Sequence, residues 1–135
     1  MHTLYLGLGA NIGNREQTLR QAIIRIGELI GPVNRQSALY ETKPWGFDSP
    51  HEFLNACICC STHLTPRQTL AATQKIEKEL GRTVKTTDGL YHDRVIDIDI
   101  LLYDKVIVDE PDLKIPHPFM EQREFVMKPL KEILK

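Results

Sequence analysis

In Ile96-Asp97-Ile98-Asp99-Ile100-Leu101, apolar and acidic side chains alternate with a period of two. That period belongs to a β-strand with one face turned into a core and the other left open. A chain carrying it must build a sheet that covers the isoleucines and leaves the aspartates facing solvent, cations or a ligand. The two carboxylates then stand about 6.6 Å apart along the strand. Like charges so placed repel, and on a partly covered face they need cations or water to stay ionised at neutral pH. Taken alone, the pair is a weak pointer to a metal, so its meaning rests on the neighbouring residues.

The surrounding pattern supplies the rest of such a sheet. Residues 3–9 alternate as a first strand. Asn14 can cap a helix in which Leu19, Ala22, Ile23, Ile26 and Ile30 recur at helical spacing, and Gly31-Pro32 stops it. Residues 33–41 form a second expected strand. Residues 42–51 read as a loop because Pro44, Gly46 and Pro50 punctuate them, and residues 52–62 read as a third strand. Thr65-Pro66 places a cap and a proline at the start of a helix that ends at Gly81. Residues 82–94 are polar and aperiodic, carry Asp88-Gly89, and are expected to form a mobile lid. A strand over 95–103 and a turn at Asp104-Lys105 into 106–109 follow, and the tail from Pro116 is expected to make short helical turns broken by Pro118 and Pro129. Strand, helix, strand, strand, helix, strand is the split order of a ferredoxin-like α+β sandwich, a mainly antiparallel sheet with helices packed on it and long mobile loops. One domain over residues 1–135 accommodates it.

Several function classes are disfavoured. The formal net charge of -1 gives no basic excess for a nucleic-acid footprint, so any phosphate site must be local. No apolar run approaches the length of a membrane span, and residues 1–9 lack the pattern of a secretory signal, so the expected compartment is the cytoplasm. Cys57, Cys59 and Cys60 are too close and too odd in number for a disulfide framework, and two of them share one strand face while the third points to the other. They read as small hydrophobes. Gly7, Gly9 and Gly13 miss the dinucleotide fingerprint because Ile12 stands where its third glycine belongs; they read as a tight turn into the first helix. No Walker loop occurs either.

The polar neighbours give the aspartate pair its context. Gln74 and Glu77 lie three apart on the second helix, Arg82 and Arg94 bracket the polar loop, His117 is fixed between Pro116 and Pro118, and Arg123 follows. Carboxylates for a hard cation, with arginines and a histidine for phosphate oxygens, form an inventory suited to phosphoryl transfer. A non-catalytic binding module on the same fold, or a phosphohydrolase, stays open on these residues alone.

Five segments together resemble one family. Glu41-Thr42-Lys43-Pro44-Trp45-Gly46, Phe53-Leu54-Asn55-Ala56, Gln74-Lys75-Ile76-Glu77 with Gly81-Arg82, Arg94-Val95-Ile96-Asp97-Ile98-Asp99-Ile100, and Ile115-Pro116-His117-Pro118 with Arg123-Glu124-Phe125 are similar, in order and spacing, to the motifs of hydroxymethyldihydropterin pyrophosphokinases. The resemblance implies diphosphate transfer from ATP to 6-hydroxymethyl-7,8-dihydropterin in folate biosynthesis, by a monomer with neither nucleic-acid nor membrane partner. It implies that Asp97 and Asp99 hold two Mg²⁺ ions bound with ATP and that Arg82 and Arg94 assist catalysis. Gln74, Glu77, Ile100, His117 and Arg123 would contact the nucleotide. Thr42, Trp45, Phe53, Asn55 and Phe125 would bind the pterin, with the two phenylalanines on its faces and Asn55 at its polar edge. Val84, where many relatives carry an arginine, and His92-Asp93, in place of the usual Gly-Pro, depart from the pattern.

Overall fold

The computed structural model describes residues 1–43, 52–81 and 95–134. Its elements run β1 His2–Ala10, α1 Arg15–Leu29, β2 Val33–Gln36, β3 Tyr40–Thr42, β4 Phe53–Thr62, α2 Pro66–Glu79, β5 Asp97–Tyr103, β6 Val108–Glu110, β7 Leu113–Ile115, a 3-10 turn Met120–Gln122, and α3 Glu124–Ile133. The main sheet has the order β2-β4-β1-β5, with β3 also paired to β4, and its pairings are antiparallel. This is the mixed α+β architecture expected from the element order.

Alternation decides which side of the sheet each helix covers. Leu4, Leu6, Leu8, Ile58, Cys60, Ile98 and Ile100 point to one side and form a core with Leu19, Ala22 and Ile26 of α1 and Ile76 of α2. Each fully buried leucine or isoleucine there is worth about 1.5–3 kcal/mol of transfer free energy. Cys57, Cys59 and Leu101 point to the other side and meet Val126, Leu130 and Ile133 of α3, with Met120. The cysteines therefore divide between the faces as their spacing requires, and all three are free and buried. Burial pushes the Cys57 thiol up to about 12, with the Asp99 carboxylate adding to it.

The caps follow local chemistry. Asn14 accepts from the Gln17 amide at the start of α1. Thr65 and Gln68 form a reciprocal capping box at the start of α2, with Pro66 just inside it. Glycine is required at Gly31, where the backbone passes so close to β4 that a Cβ would lie 1.8 Å from the Ser61 carbonyl oxygen.

Four expectations need correction. The strand expected over 33–41 is two strands, because Ser37 interrupts the ladder: its amide donates to the Cys57 carbonyl at 2.9 Å, and its hydroxyl accepts from the Cys57 amide at 2.9 Å. Thr42 belongs to β3, not to a loop. Pro129 does not break the tail. It lies inside the ten-residue α3, where burial of Pro129, Leu130 and Ile133 offsets the lost amide donor. Gly7 and Gly9 lie in β1, as the strand expected over 3–9 has it and against the turn reading; of those three glycines only Gly13, at φ +73°, adopts a turn conformation. The β6-β7 hairpin was also unforeseen beyond its first strand. No helix among the described residues is long and apolar enough to cross a membrane.

Candidate active site

Register places the carboxylates. Asp97 pairs with Gly9 and Asp99 with Gly7, while Gly9 pairs with Asn55 and Gly7 with Cys57. Directly opposed residues share a face, so Asn55, Gly9 and Asp97 form one row across the sheet, and Cys57, Gly7 and Asp99 form the next. Both aspartates are half-buried. The same face carries α3 farther along, and among the described residues α3 packs on Cys57, Cys59 and Leu101 and not on the Asn55–Asp97 row.

The glycines shape that end. A Cβ on Gly9 would lie 3.1 Å from Asn55 Oδ1 and 3.4 Å from Phe53 Cδ1, so any larger residue would fill the crease beneath both side chains. On Gly7 a Cβ would meet the Leu101 side chain at 3.4 Å. Leu101 occupies a bulge, since Leu6 pairs with Ile100 while Tyr5 pairs with Leu102. Bulges at site edges re-aim side chains, and here Leu101 joins the α3 side.

Asn55 is buried at 4% exposure and its carboxamide is oriented. Its Nδ2 donates to Thr42 Oγ1 at 2.7 Å and to the Tyr40 carbonyl at 3.3 Å. A carbonyl only accepts, so the nitrogen must face Tyr40 and the oxygen must turn to the Gly9 side. Thr42, paired with Phe53 at the end of the β3-β4 ladder, completes this polar corner.

On the other edge, Glu77 is buried at 7% exposure, and its Oε2 accepts from the Ile98 amide at 2.8 Å. β5 is an edge strand, and Ile98 stands between the two aspartates. Glu77 therefore fastens the strand that presents them, with a charge-assisted bond worth roughly 1.5–3 kcal/mol. Gln74, one turn earlier on α2, is exposed. Ile100 lies in the helix-side core, so any contact it makes with a ligand on the carboxylate face runs through its main chain.

His117 is held beside β5, its amide donating to the Leu101 carbonyl at 3.1 Å. Its Nδ1 is buried without a hydrogen-bond partner among the described residues. Burial, then the Arg123 charge, push its pKa down, and Asp97 opposes them. Arg123 is buried at 6% exposure, with its guanidinium carbon 5.6 Å from the ring centres of both Phe119 and Phe125. Arg123 and Phe125 flank the start of α3, so cation and half-buried ring come together.

The structure thus brings Asp97, Asp99, Asn55, Thr42 and Phe53 onto one sheet face, and His117, Arg123 and Phe125 to its margin. Arg82, Arg94, Trp45 and the expected lid over 82–94 lie outside the described residues. Gly9 was read from sequence only as a turn glycine, and Arg15, bonded to Glu41 and to the Glu52 carbonyl, was not singled out. An arginine opening a helix carries no signal of such long-range contacts.

The donor set suits a magnesium ion shared with phosphate. Among the described residues no group of three or more His, Cys, Asp or Glu side chains could hold an ion. Mg²⁺ commonly takes one or two carboxylates and completes its octahedron with water and substrate phosphate oxygens.

Comparison with known proteins bears on the family and the fold. Residues 5–135 match the family described as 7,8-dihydro-6-hydroxymethylpterin-pyrophosphokinase (HPPK). A Porphyromonas gingivalis 2-amino-4-hydroxy-6-hydroxymethyldihydropteridine pyrophosphokinase is 48% identical over 98% of this chain and 91% of its own length. The proteins of that name from Aquifex aeolicus and Bacillus subtilis are each 42% identical, over 98% and 96% of this chain and 81% and 76% of their own. Among solved structures, an HPPK-DHPS in complex with substrates superposes with a TM-score of 0.74 at 14% identity, and a Plasmodium falciparum HPPK-DHPS triple mutant with 0.75 at 17%. They cover 98% and 96% of this chain, which spans 40% of each of theirs, and at such identity they bear on the fold alone. Family match and near full-length identity together place this chain in the 7,8-dihydro-6-hydroxymethylpterin-pyrophosphokinase family.

Proposed function

We propose that this chain transfers a diphosphate from ATP to 6-hydroxymethyl-7,8-dihydropterin, releasing AMP, as a step of folate biosynthesis. The observation that carries this reading is the row Asn55, Gly9, Asp97. It sets a carboxamide suited to the polar edge of a pterin and a carboxylate suited to a metal ion on one face, with a glycine between them. In the reaction the pterin hydroxymethyl oxygen bonds to the β-phosphorus, the bond from that phosphorus to the α,β-bridging oxygen breaks, and the hydroxyl proton is released. Bound at Asp97 and Asp99, two Mg²⁺ ions would neutralise charge developing on the phosphate oxygens.

The protein's own groups supply binding and orientation. Asn55 Oδ1 accepts from an N–H of the pterin, because both hydrogens of its Nδ2 are already committed. Phe53 and Phe125 offer π faces to a flat ring, and Trp45 belongs to the same subsite. Arg123 and His117, with Gln74, Glu77, Ile100, Arg82 and Arg94, serve the nucleotide. Arg123 would reach it as a permanent cation and His117 through its imidazole.

Incubation with ATP, Mg²⁺ and the dihydropterin should yield AMP in stoichiometric amount with the pterin diphosphate. Formation of ADP or free phosphate instead would refute diphosphate transfer. A second expectation concerns the ring subsite. Phe125→Ala should weaken pterin binding about tenfold, since ring contact adds roughly 0.5–1.5 kcal/mol to the buried area, while nucleotide binding changes little. Calorimetric titration with each ligand separates the two, and equal losses would make Phe125 a packing residue only.

A further inference from the structure

Arg15 opens α1 on the helix side of the sheet, away from the carboxylate face, yet its guanidinium reaches both strands that carry the pterin corner. Nη2 donates to Glu41 Oε1 at 2.5 Å and Nη1 to the Glu52 carbonyl at 2.9 Å. Glu41 immediately precedes Thr42 in β3, and Glu52 immediately precedes Phe53 in β4. Thr42 and Phe53 form the last pair of that ladder. β3 contributes only three residues, so few ladder bonds set the spacing of its end from β4. One planar, two-pronged cation bonded to both strands fixes that spacing in a way a flexible ammonium cannot. The Arg15 side chain is 29% exposed, so part of this contact is sheltered from solvent screening.

We propose that Arg15 is a positioning residue for the pterin subsite, clasping β3 to β4 through Glu41 and Glu52 so that Thr42 stays opposite Phe53 and holds the Asn55 carboxamide in its orientation. This rests on the reading that Thr42, Phe53 and Asn55 bind the pterin. The two groups it bonds, the Glu41 carboxylate and the Glu52 carbonyl, adjoin Thr42 and Phe53 and belong to no residue assigned to the nucleotide, so its loss is expected to act on one ligand.

The test is binding of 6-hydroxymethylpterin to the full chain, with Mg²⁺ and α,β-methylene-ATP present, followed by the intrinsic fluorescence of the pterin. Arg15→Met, which keeps the stem and loses the fork, should raise the pterin Kd about tenfold. Arg15→Lys should recover part of that loss, because a single ammonium can serve one partner at a time. Glu41→Gln should cost about threefold. Binding of the nucleotide analogue without pterin should stay within about twofold throughout, a split that general destabilisation would not produce. If Arg15→Met unfolds, Glu41→Gln and Arg15→Lys carry the same comparison. Asn55→Ala is measured in parallel. If it weakens pterin binding while the Arg15 and Glu41 variants bind both ligands as the parent does, the clasp is refuted and the pterin site stands. If Asn55→Ala leaves pterin affinity unchanged, the pterin site lies elsewhere and the clasp falls with it.

Discussion

Asp97→Asn and Asp99→Asn should each lower turnover by on the order of 10³-fold, about 4 kcal/mol of transition-state stabilisation, without unfolding the protein. Asparagine keeps the volume and removes the charge. Both side chains are half-buried on the open end of the sheet, and the strand that bears them is anchored elsewhere: by Ile98 and Ile100 in the helix-side core and by the Glu77 bond to the Ile98 amide. Asparagine retains an oxygen acceptor and nearly the same volume, so the thermal midpoint should change little. Turnover read as AMP release, beside a far-UV circular dichroism melt, gives both quantities. Near-full activity in either variant would dispose of the metal assignment, and loss of the cooperative melt would show that the aspartates serve the fold instead.

The contrast between those two aspartates and the rest of the site explains what the sequence made legible. The Ile-Asp alternation is a local pattern whose period alone divides the residues between faces, and the structure keeps that division. Capping at Asn14 and Thr65 is likewise decided within four residues. Ser37 illustrates the opposite case. Its hydroxyl takes over a ladder position opposite Cys57, so the break between β2 and β3 depends on a partner twenty residues away. Pro129 misleads for a related reason. Its local cost is real, but α3 is held from outside, with Glu132 accepting from the Ala38 amide at 3.0 Å and from the Tyr40 hydroxyl at 2.5 Å, and Arg35 donating to the Ile133 carbonyl at 3.0 Å. Gly7 and Gly9 look like turn glycines until the register sets them opposite Asp99 and Asp97. Where a role depended on pairing across the sheet, composition and spacing carried no trace of it.

Asn55 shows how such pairing becomes specificity, and Asn55→Ala should weaken pterin binding about 10²-fold with nucleotide affinity nearly unchanged. The amide is buried, so its bonds are made away from competing water, and its loss leaves the ligand's N–H without an acceptor in a site that excludes solvent. The Thr42 hydroxyl would lose its donor at the same time. Asn55→Asp separates orientation from mere polarity. It keeps an acceptor toward the Gly9 side but sets a carboxylate oxygen against the Tyr40 carbonyl, so it should bind the pterin more weakly than the parent and more tightly than the alanine variant. Isothermal titration with 6-hydroxymethylpterin in the presence of α,β-methylene-ATP and Mg²⁺ reads the pterin term, and titration with the nucleotide analogue alone reads the other. A loss of less than about threefold in Asn55→Ala would mean that the carboxamide faces no ligand donor. Equal losses for the two ligands would mean instead that Asn55 holds β3 against β4 and nothing more.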